Sequence, residues 1–234
     1  MLTLNEVTNK SSSKWTGLHA TVAAAAQTLV EKCYTAGIPI IITQGLRTVA
    51  EQNALYEQGR TKLGSIVTNA RGGYSYHNYG LAIDFALLLP DGKSVSWDMR
   101  RDGNSDGSAD WKQASQIAKD LGFEWGGDWS GFKDYCHLQM TFGLSLANLR
   151  EGKQPASAAV SKVNELLKKE TIIMKEDKVT VAVKVNGVKS ADGILEQGVT
   201  YVPARALAEA LGGSILYDPK TRTVEIQVET RSSK

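Results

Sequence analysis

The stretch SYHNYGLAIDF, Ser75 to Phe85, sets a histidine and an aspartate seven residues apart in an otherwise apolar, strand-like run. A charge carried into the interior by such a strand is costly unless it is paired or coordinates an ion. Gly80 permits a bend between His77 and Asp84, so the two side chains can converge despite their odd separation. Ala82 has the same strand parity as Asp84, and its small side chain leaves room beside the carboxylate for an ion. The chain has only three histidines, His19, His77 and His137. The last lies in a second polar cluster, KDYCHLQM, which also carries Asp134. Two imidazoles and one carboxylate make a three-ligand zinc site whose fourth position is open to water, the mark of a catalytic rather than a structural zinc. A water whose pKa is lowered toward ~7 becomes a usable nucleophile. Asp134, three residues before His137, is placed to take its proton.

The surrounding pattern predicts an α+β fold, a small antiparallel sheet with helices packed against it. LHATVAAAAQTLVEKCYTAG reads as a helix, with Leu18, Val22, Ala25, Leu29 and Cys33 at helical spacing and Gly37 as its stop. IPIIITQG is a short buried strand, TVAEQNALYEQGR a second helix, GLAIDFALLL a second strand and PDGK a turn. DWKQASQIAKDLG is a third helix with Asp110 expected as its N-cap, and YCHLQMTF is a closing strand. These elements predict one domain over residues 1–150. Residues 151–170, polar and lysine-rich with a helical second half, read as a linker and connecting helix. Residues 171–234 read as a small ββαββ domain: Val179, Val181, Val183 and Val185 alternate on one strand, Asn186-Gly187 is a hairpin signal, and Pro203 opens a short helix.

A net charge of +2 in 234 residues is too weak for a nucleic-acid footprint. No apolar run is long enough to span a bilayer, so membrane insertion is not expected. Cys33 and Cys136 are too few for a disulfide framework and read as reduced, partly buried side chains. The N-terminal stretch lacks a basic region followed by an apolar one, so no signal peptide is expected. The protein is then made in the cytoplasm of a host cell, and something else must let it out.

SYHNYGLAID fits the S-x-H-x-x-G-x-A-x-D motif, and DYCH the D/E-x-x-H motif, of the D-Ala-D-Ala carboxypeptidase/VanY-like zinc peptidases. LRTVAEQNALYEQGR and LGFEWGGDW resemble the L-alanyl-D-glutamate endopeptidase branch of phage endolysins and bacillus-type wall hydrolases. The resemblance covers about Leu2 to Leu149 and implies the Hedgehog/DD-peptidase-like fold. It implies His77, Asp84 and His137 as zinc ligands and Asp134 as catalytic base. It also places Arg47 and Gln52 near the substrate, with Thr43 standing where serine is common. Arg47 suits the carboxylate of a D-glutamate or a tetrahedral oxyanion. Ser75 is expected to hydrogen-bond within the site, and Trp125 and Trp129 to wall the cleft. Cys136, of opposite strand parity to His137, is expected to face the core. His19 reads as a surface or packing residue.

The implied activity is hydrolysis of the L-Ala–D-Glu bond of peptidoglycan stem peptides by a zinc-activated water, as in an endolysin released through a holin-type membrane hole. The alternatives are a D-Ala-D-Ala carboxypeptidase on the same fold and a non-catalytic wall-binding module. Separately, Asp102, Asn104, Asp106 and Gly107 match the first positions of a calcium loop and Asp110 its ninth, but Gln113 stands where a bidentate glutamate is usual. The segment GVTYVPARALAEALGGSILYDPKTRTVEI resembles the stalk, or copper amine oxidase N-terminal-like, domain of bacterial surface proteins. With no histidine or cysteine after His137, this copy has no soft metal site. Wall anchoring is the expected role, with dimerisation or spacing as the rival.

Overall fold

A computed structural model describes residues 2–176, 179–196, 199–219, 221 and 223–228. The chain divides into two units, Met1–Lys169 and Glu170–Lys234. The first opens with α1 (Leu4–Ser11), started by a capping box in which Thr3 and Glu6 exchange hydrogen bonds. There follow α2 (Ala20–Thr35), β1 (Ile40–Gln44), α3 (Val49–Glu57), a 3-10 turn (Tyr76–Tyr79), β2 (Ala82–Leu88), β3 (Val95–Ser96), α4 (Asp110–Asp120), β4 (Glu124–Trp125), β5 (His137–Gln139), α5 (Leu146–Arg150) and the first part, up to Lys169, of α6 (Ser157–Glu176). The sheet is antiparallel, in the order β1-β2-β5-β4, with β3 paired to the far end of β2.

The two faces of β2 have different tasks. Ile83, Phe85 and Leu87 are fully buried with Val22, Leu29 and Cys33 of α2 and Trp111, Ala114 and Ala118 of α4. Phe85 and Trp111 meet with ring centroids 4.8 Å apart. Burying each large apolar side chain is worth about 1.5–3 kcal/mol, so this layer holds the strand. The opposite parity carries Ala82 and Asp84, which pair across the ladder with Gln139 and His137 of β5. The polar residues therefore lie at one end of a strand whose other side is locked into the core.

One local expectation is revised and two gain detail. The N-cap of α4 is Ala109; Asp110 is the first helical residue, and its carboxylate instead accepts the Gly103 N–H at 3.0 Å and pairs with Arg101 at 3.5 Å. The connecting segment is not free along its length: Val163 and Leu167 of α6 pack against the core, and Asn164 accepts a hydrogen bond from the Thr21 hydroxyl at 3.0 Å. His19 has a defined task as the N-cap of α2, its Nδ1 accepting from the Thr21 N–H.

The second unit contains β6 (Val179–Val185), β7 (Val188–Glu196), β8 (Val199–Tyr201), α7 (Ala204–Ala210), β9 (Ser214–Asp218) and β10 (Thr223–Gln227). Asn186 and Gly187 turn the first hairpin with φ of 50° and 83°, both positive as a type I′ turn requires. The order is βββαββ rather than ββαββ. Three-residue β8, paired to β7 from Ile194↔Tyr201 to Glu196↔Val199, is too short to show an alternation in sequence.

Gly80 closes the 3-10 turn with φ +66°, and a Cβ there would lie 2.7 Å from the Gly17 carbonyl oxygen. Its own carbonyl accepts the His19 N–H at 2.9 Å, tying the turn to the start of α2. Gly143, at φ +79°, has no atom near a Cβ within 4 Å. Gly80→Ala should therefore cost more than the about 1–3 kcal/mol of left-handed strain alone, and more than Gly143→Ala. Urea unfolding of the two variants checks this, and equal losses would show that the close approach to Gly17 does not matter.

Candidate metal centre

His77 comes from the 3-10 turn, Asp84 from β2, and His137 from the first position of β5, directly opposite Asp84. His77 Nε2 lies 3.2 Å from Asp84 Oδ1 and 3.2 Å from His137 Nδ1, and His137 Nδ1 lies 3.4 Å from Asp84 Oδ1. Both imidazoles are buried. A tetrahedral ion with bonds of about 2.0–2.1 Å has ligand–ligand edges of about 3.3 Å, so the triangle already has the dimensions of one face of such a site.

The outer nitrogens decide what the inner ones present. His77 Nδ1 sits 2.8 Å from the Gly45 carbonyl oxygen, which can only accept, so Nδ1 donates and neutral Nε2 carries a lone pair. His137 Nε2 faces Gln139 Oε1 at 3.0 Å, leaving Nδ1 its lone pair in turn. Three acceptor atoms thus point at one another, an arrangement that only a cation or a retained proton can relieve. Burial pushes the Asp84 carboxyl up, but the facing imidazoles outweigh it and hold it below the usual carboxylate range. Burial pushes His137 down, and the Asp84 carboxylate more than offsets this, so His137 holds its proton above the usual histidine value. The donor set and its spacing fit a divalent metal.

Arg47 approaches the centre from the loop after β1. Its Nη2 lies 3.5 Å from Asp84 Oδ2, its Nη1 donates to Gln52 Oε1 at 2.8 Å, and its backbone N–H donates to the His77 carbonyl at 3.1 Å. Gln52 is fully buried, and its Nε2 donates to the Ala70 carbonyl at 2.8 Å. With both amide ends occupied it holds Arg47 instead of meeting substrate, which corrects the expected role. The Asp134 carboxylate stands outside the triangle and accepts from the Cys136 thiol at 3.1 Å, while its carbonyl receives the His137 N–H at 3.3 Å. Cys136 is half-buried and packs against the core. Trp129 is partly exposed, with its ring 5.3 Å from that of His137. The Trp125 indole donates to the Tyr135 carbonyl at 2.8 Å, anchoring the loop before β5. Ser75 precedes the 3-10 turn, and its side chain makes no capping bond.

The 102–110 loop is closed by its own hydrogen bonds. Asp102 accepts the Asp106 and Gly107 N–H groups at 3.1 and 3.0 Å, Asp106 accepts from Ser108, the Asn104 amide donates to the Ala36 carbonyl, and buried Asp110 turns to Arg101. Among the described residues, only His77, Asp84 and His137 form a group of three acidic, histidine or cysteine ligands within 4.8 Å. The carboxylates of the 102–110 loop do not converge. Sequence reading missed Gln139 and Gly45. A glutamine two residues after His137, on the same strand face, was the available signal for the first; a backbone carbonyl leaves no signal for the second.

A profile described as D-alanyl-D-alanine carboxypeptidase matches residues 68–140, and one described as copper amine oxidase N-terminal domain matches residues 184–234. The chain is 58% identical over 123 residues to the peptidoglycan L-alanyl-D-glutamate endopeptidase CwlK of Bacillus subtilis (strain 168), spanning 53% of this chain and 73% of that protein. It is 36% identical over 119 residues to the L-alanyl-D-glutamate peptidase of Listeria phage A118, spanning 51% of this chain and 36% of that one. The crystal structure of the Serratia marcescens L-Ala D-Glu endopeptidase ChiX superposes with a TM-score of 0.43 at 24% identity, over 58% of this chain and 89% of that one.

Protons and a cation compete for the same inward lone pairs. His137, raised above its usual value of 6.5, must lose its proton to bind metal, whereas lowered Asp84 is already ionised. Affinity for a divalent metal should therefore weaken by about tenfold for each pH unit below the raised histidine value, per proton displaced. Competition against a chromophoric chelator from neutral to mildly acidic pH measures it, and a flat profile would remove the imidazoles from the ligand set.

Proposed function

The chain belongs to the VanY-like D-Ala-D-Ala carboxypeptidase family of zinc peptidases, on its L-alanyl-D-glutamate endopeptidase branch, and we propose that the His77–Asp84–His137 centre holds zinc and cuts peptidoglycan stem peptides between L-Ala and D-Glu. The observation that carries the reading is the triangle of lone-pair atoms with tetrahedral edges, set beside a guanidinium. A zinc ion held there supplies a Lewis acid for the scissile carbonyl and a water made nucleophilic at neutral pH. The remaining work falls to the chain. Asp134, outside the ligand triangle yet close enough for its charge to act on His137, takes the proton of the attacking water and returns it to the departing D-Glu amine. Arg47 is held by Gln52 and only loosely engaged by Asp84, so it retains N–H donors for the D-Glu carboxylate adjoining the cut or for the developing oxyanion. Trp129 forms an apolar wall, and the Ser75 hydroxyl, which makes no capping bond, hydrogen-bonds within the site.

Digestion of purified muropeptides followed by mass spectrometry tests the bond specificity. New N-terminal D-Glu is expected; loss of a lone D-Ala would instead assign the D,D-carboxypeptidase activity that the matching profile describes. No helix among the described residues is long and apolar enough to cross a membrane, and release to the wall through a membrane hole belongs to the proposal. The second unit is proposed as a stalk-like wall-binding module; a chain ending at Lys169 should then sediment with purified cell walls less than the full chain, and equal sedimentation would argue for a spacer.

Asp134→Asn should keep zinc bound, because the residue is no ligand, and lower turnover by about 10²–10⁴-fold. His77→Ala, Asp84→Ala and His137→Ala should lose zinc and activity together. Metal stoichiometry beside turnover separates the two classes, and an Asp134→Asn enzyme at near-wild-type rate would take that carboxylate out of the mechanism.

A further inference from the structure

Four side chains run in line from the metal centre to the protein surface. His137 Nε2 meets Gln139 Oε1 at 3.0 Å, Gln139 Nε2 donates to Glu124 Oε2 at 2.9 Å, and the Thr141 hydroxyl donates to Glu124 Oε1 at 2.7 Å. The sheet builds this row directly. Gln139 lies on the same face as His137, two residues along β5, flanked by Ala82 on one neighbouring strand and Glu124 on the other. Gln139 is buried, whereas Glu124 is exposed at the rim.

The direction of every bond in the row follows from its outer end. A carboxylate only accepts, so Glu124 requires the NH₂ end of Gln139 to face it. The amide oxygen is thereby turned toward His137, whose Nε2 must then carry the hydrogen. Nδ1, the atom facing His77 and Asp84, is left with its lone pair. With a donor at position 124 the amide would reverse, its NH₂ would face Nε2, and the hydrogen of a neutral imidazole would move to Nδ1, where it blocks a metal.

We infer that Glu124, acting through Gln139, is a positioning residue that sets the tautomer of His137 and so prepares the centre for its metal. The inference rests on the zinc reading above. It is specific to the His137 half of the site, since His77 takes its tautomer from a backbone carbonyl.

The test measures two quantities in the full-length protein: zinc affinity by chelator competition, and the His137 tautomer in the metal-free protein by ¹⁵N imidazole NMR at a pH where the ring is neutral. Glu124→Lys offers only donors, and Glu124→Gln can face Gln139 with either end. Zinc affinity should fall from wild type through Glu124→Gln to Glu124→Lys, by about 10–100-fold at the extreme, the usual effect of removing such a partner. The share of Nε2–H tautomer should fall in the same order. Gln139→Met, which keeps the bulk but offers no oxygen, should also lose the Nε2–H preference. Affinity that falls without a tautomer change would overturn the relay and leave a plain charge effect; variants that bind like wild type would overturn it outright. Wild-type protein that takes up no zinc would defeat the metal reading itself, a result distinguishable from either.

Discussion

A carboxylate confronted by two imidazole lone pairs is the interaction around which the first unit is arranged. Left alone, Asp84, His77 and His137 repel or share a proton, and nothing in their own chemistry would bring them together. They are held by groups with other reasons to be where they are. Asp84 is carried on a strand whose alternate residues lie in the core, His137 is placed opposite it by ladder pairing, and His77 is delivered by a turn that ends on a left-handed glycine. The apolar layer between the sheet and its helices holds the unfavourable cluster in place. Catalytic centres commonly keep such a local conflict, because a ligand set relaxed without its ion would bind that ion less well.

This arrangement explains which parts of the site were legible in sequence. His77, Gly80 and Asp84 are close in the chain, and the need for a bend between them is written in the glycine. Strand parity also identified Ala82 correctly as standing on the polar face, although its small side chain sits opposite Gln139, where an amide needs the space. What escaped depends on contacts between distant segments. Gln52 looked like a substrate-facing residue, yet it is fully buried, a fact set by how α3 meets the 68–70 segment. Asp110 looked like a cap, but Gly103 and Arg101, brought back by the loop, compete more strongly for its carboxylate than the helix's own N–H groups do. Gln139 and Glu124 acquire meaning only once β4 and β5 are known to be neighbours.

The fold shows the same division. Helices and strands with a clear period appear where the pattern puts them. The exceptions are short elements: α1 and α5, each started by a capping box that the sequence reading passed over, two-residue β3 and β4, three-residue β8, and β5, which is shorter than the apolar YCHLQMTF run because the chain turns at Thr141. The helical half of the lysine-rich connector has an apolar stripe of Val163 and Leu167 narrow enough to be hidden among its polar residues. Its docking onto the first unit is a packing decision made elsewhere in the molecule.

The two histidines of the centre are steadied by unlike means. The partner of His77 is the carbonyl of Gly45, a main-chain atom present whatever amino acid is encoded there, at a position where crowding against Lys14 leaves little besides glycine acceptable. The partner of His137 is a series of side chains, each of which a single codon change can alter. Over evolutionary time the first half of the centre is therefore nearly immovable, while the second can drift. Divergence in metal preference or affinity among descendants of this chain would then accumulate on the β4–β5 edge of the sheet and spare the turn that carries His77.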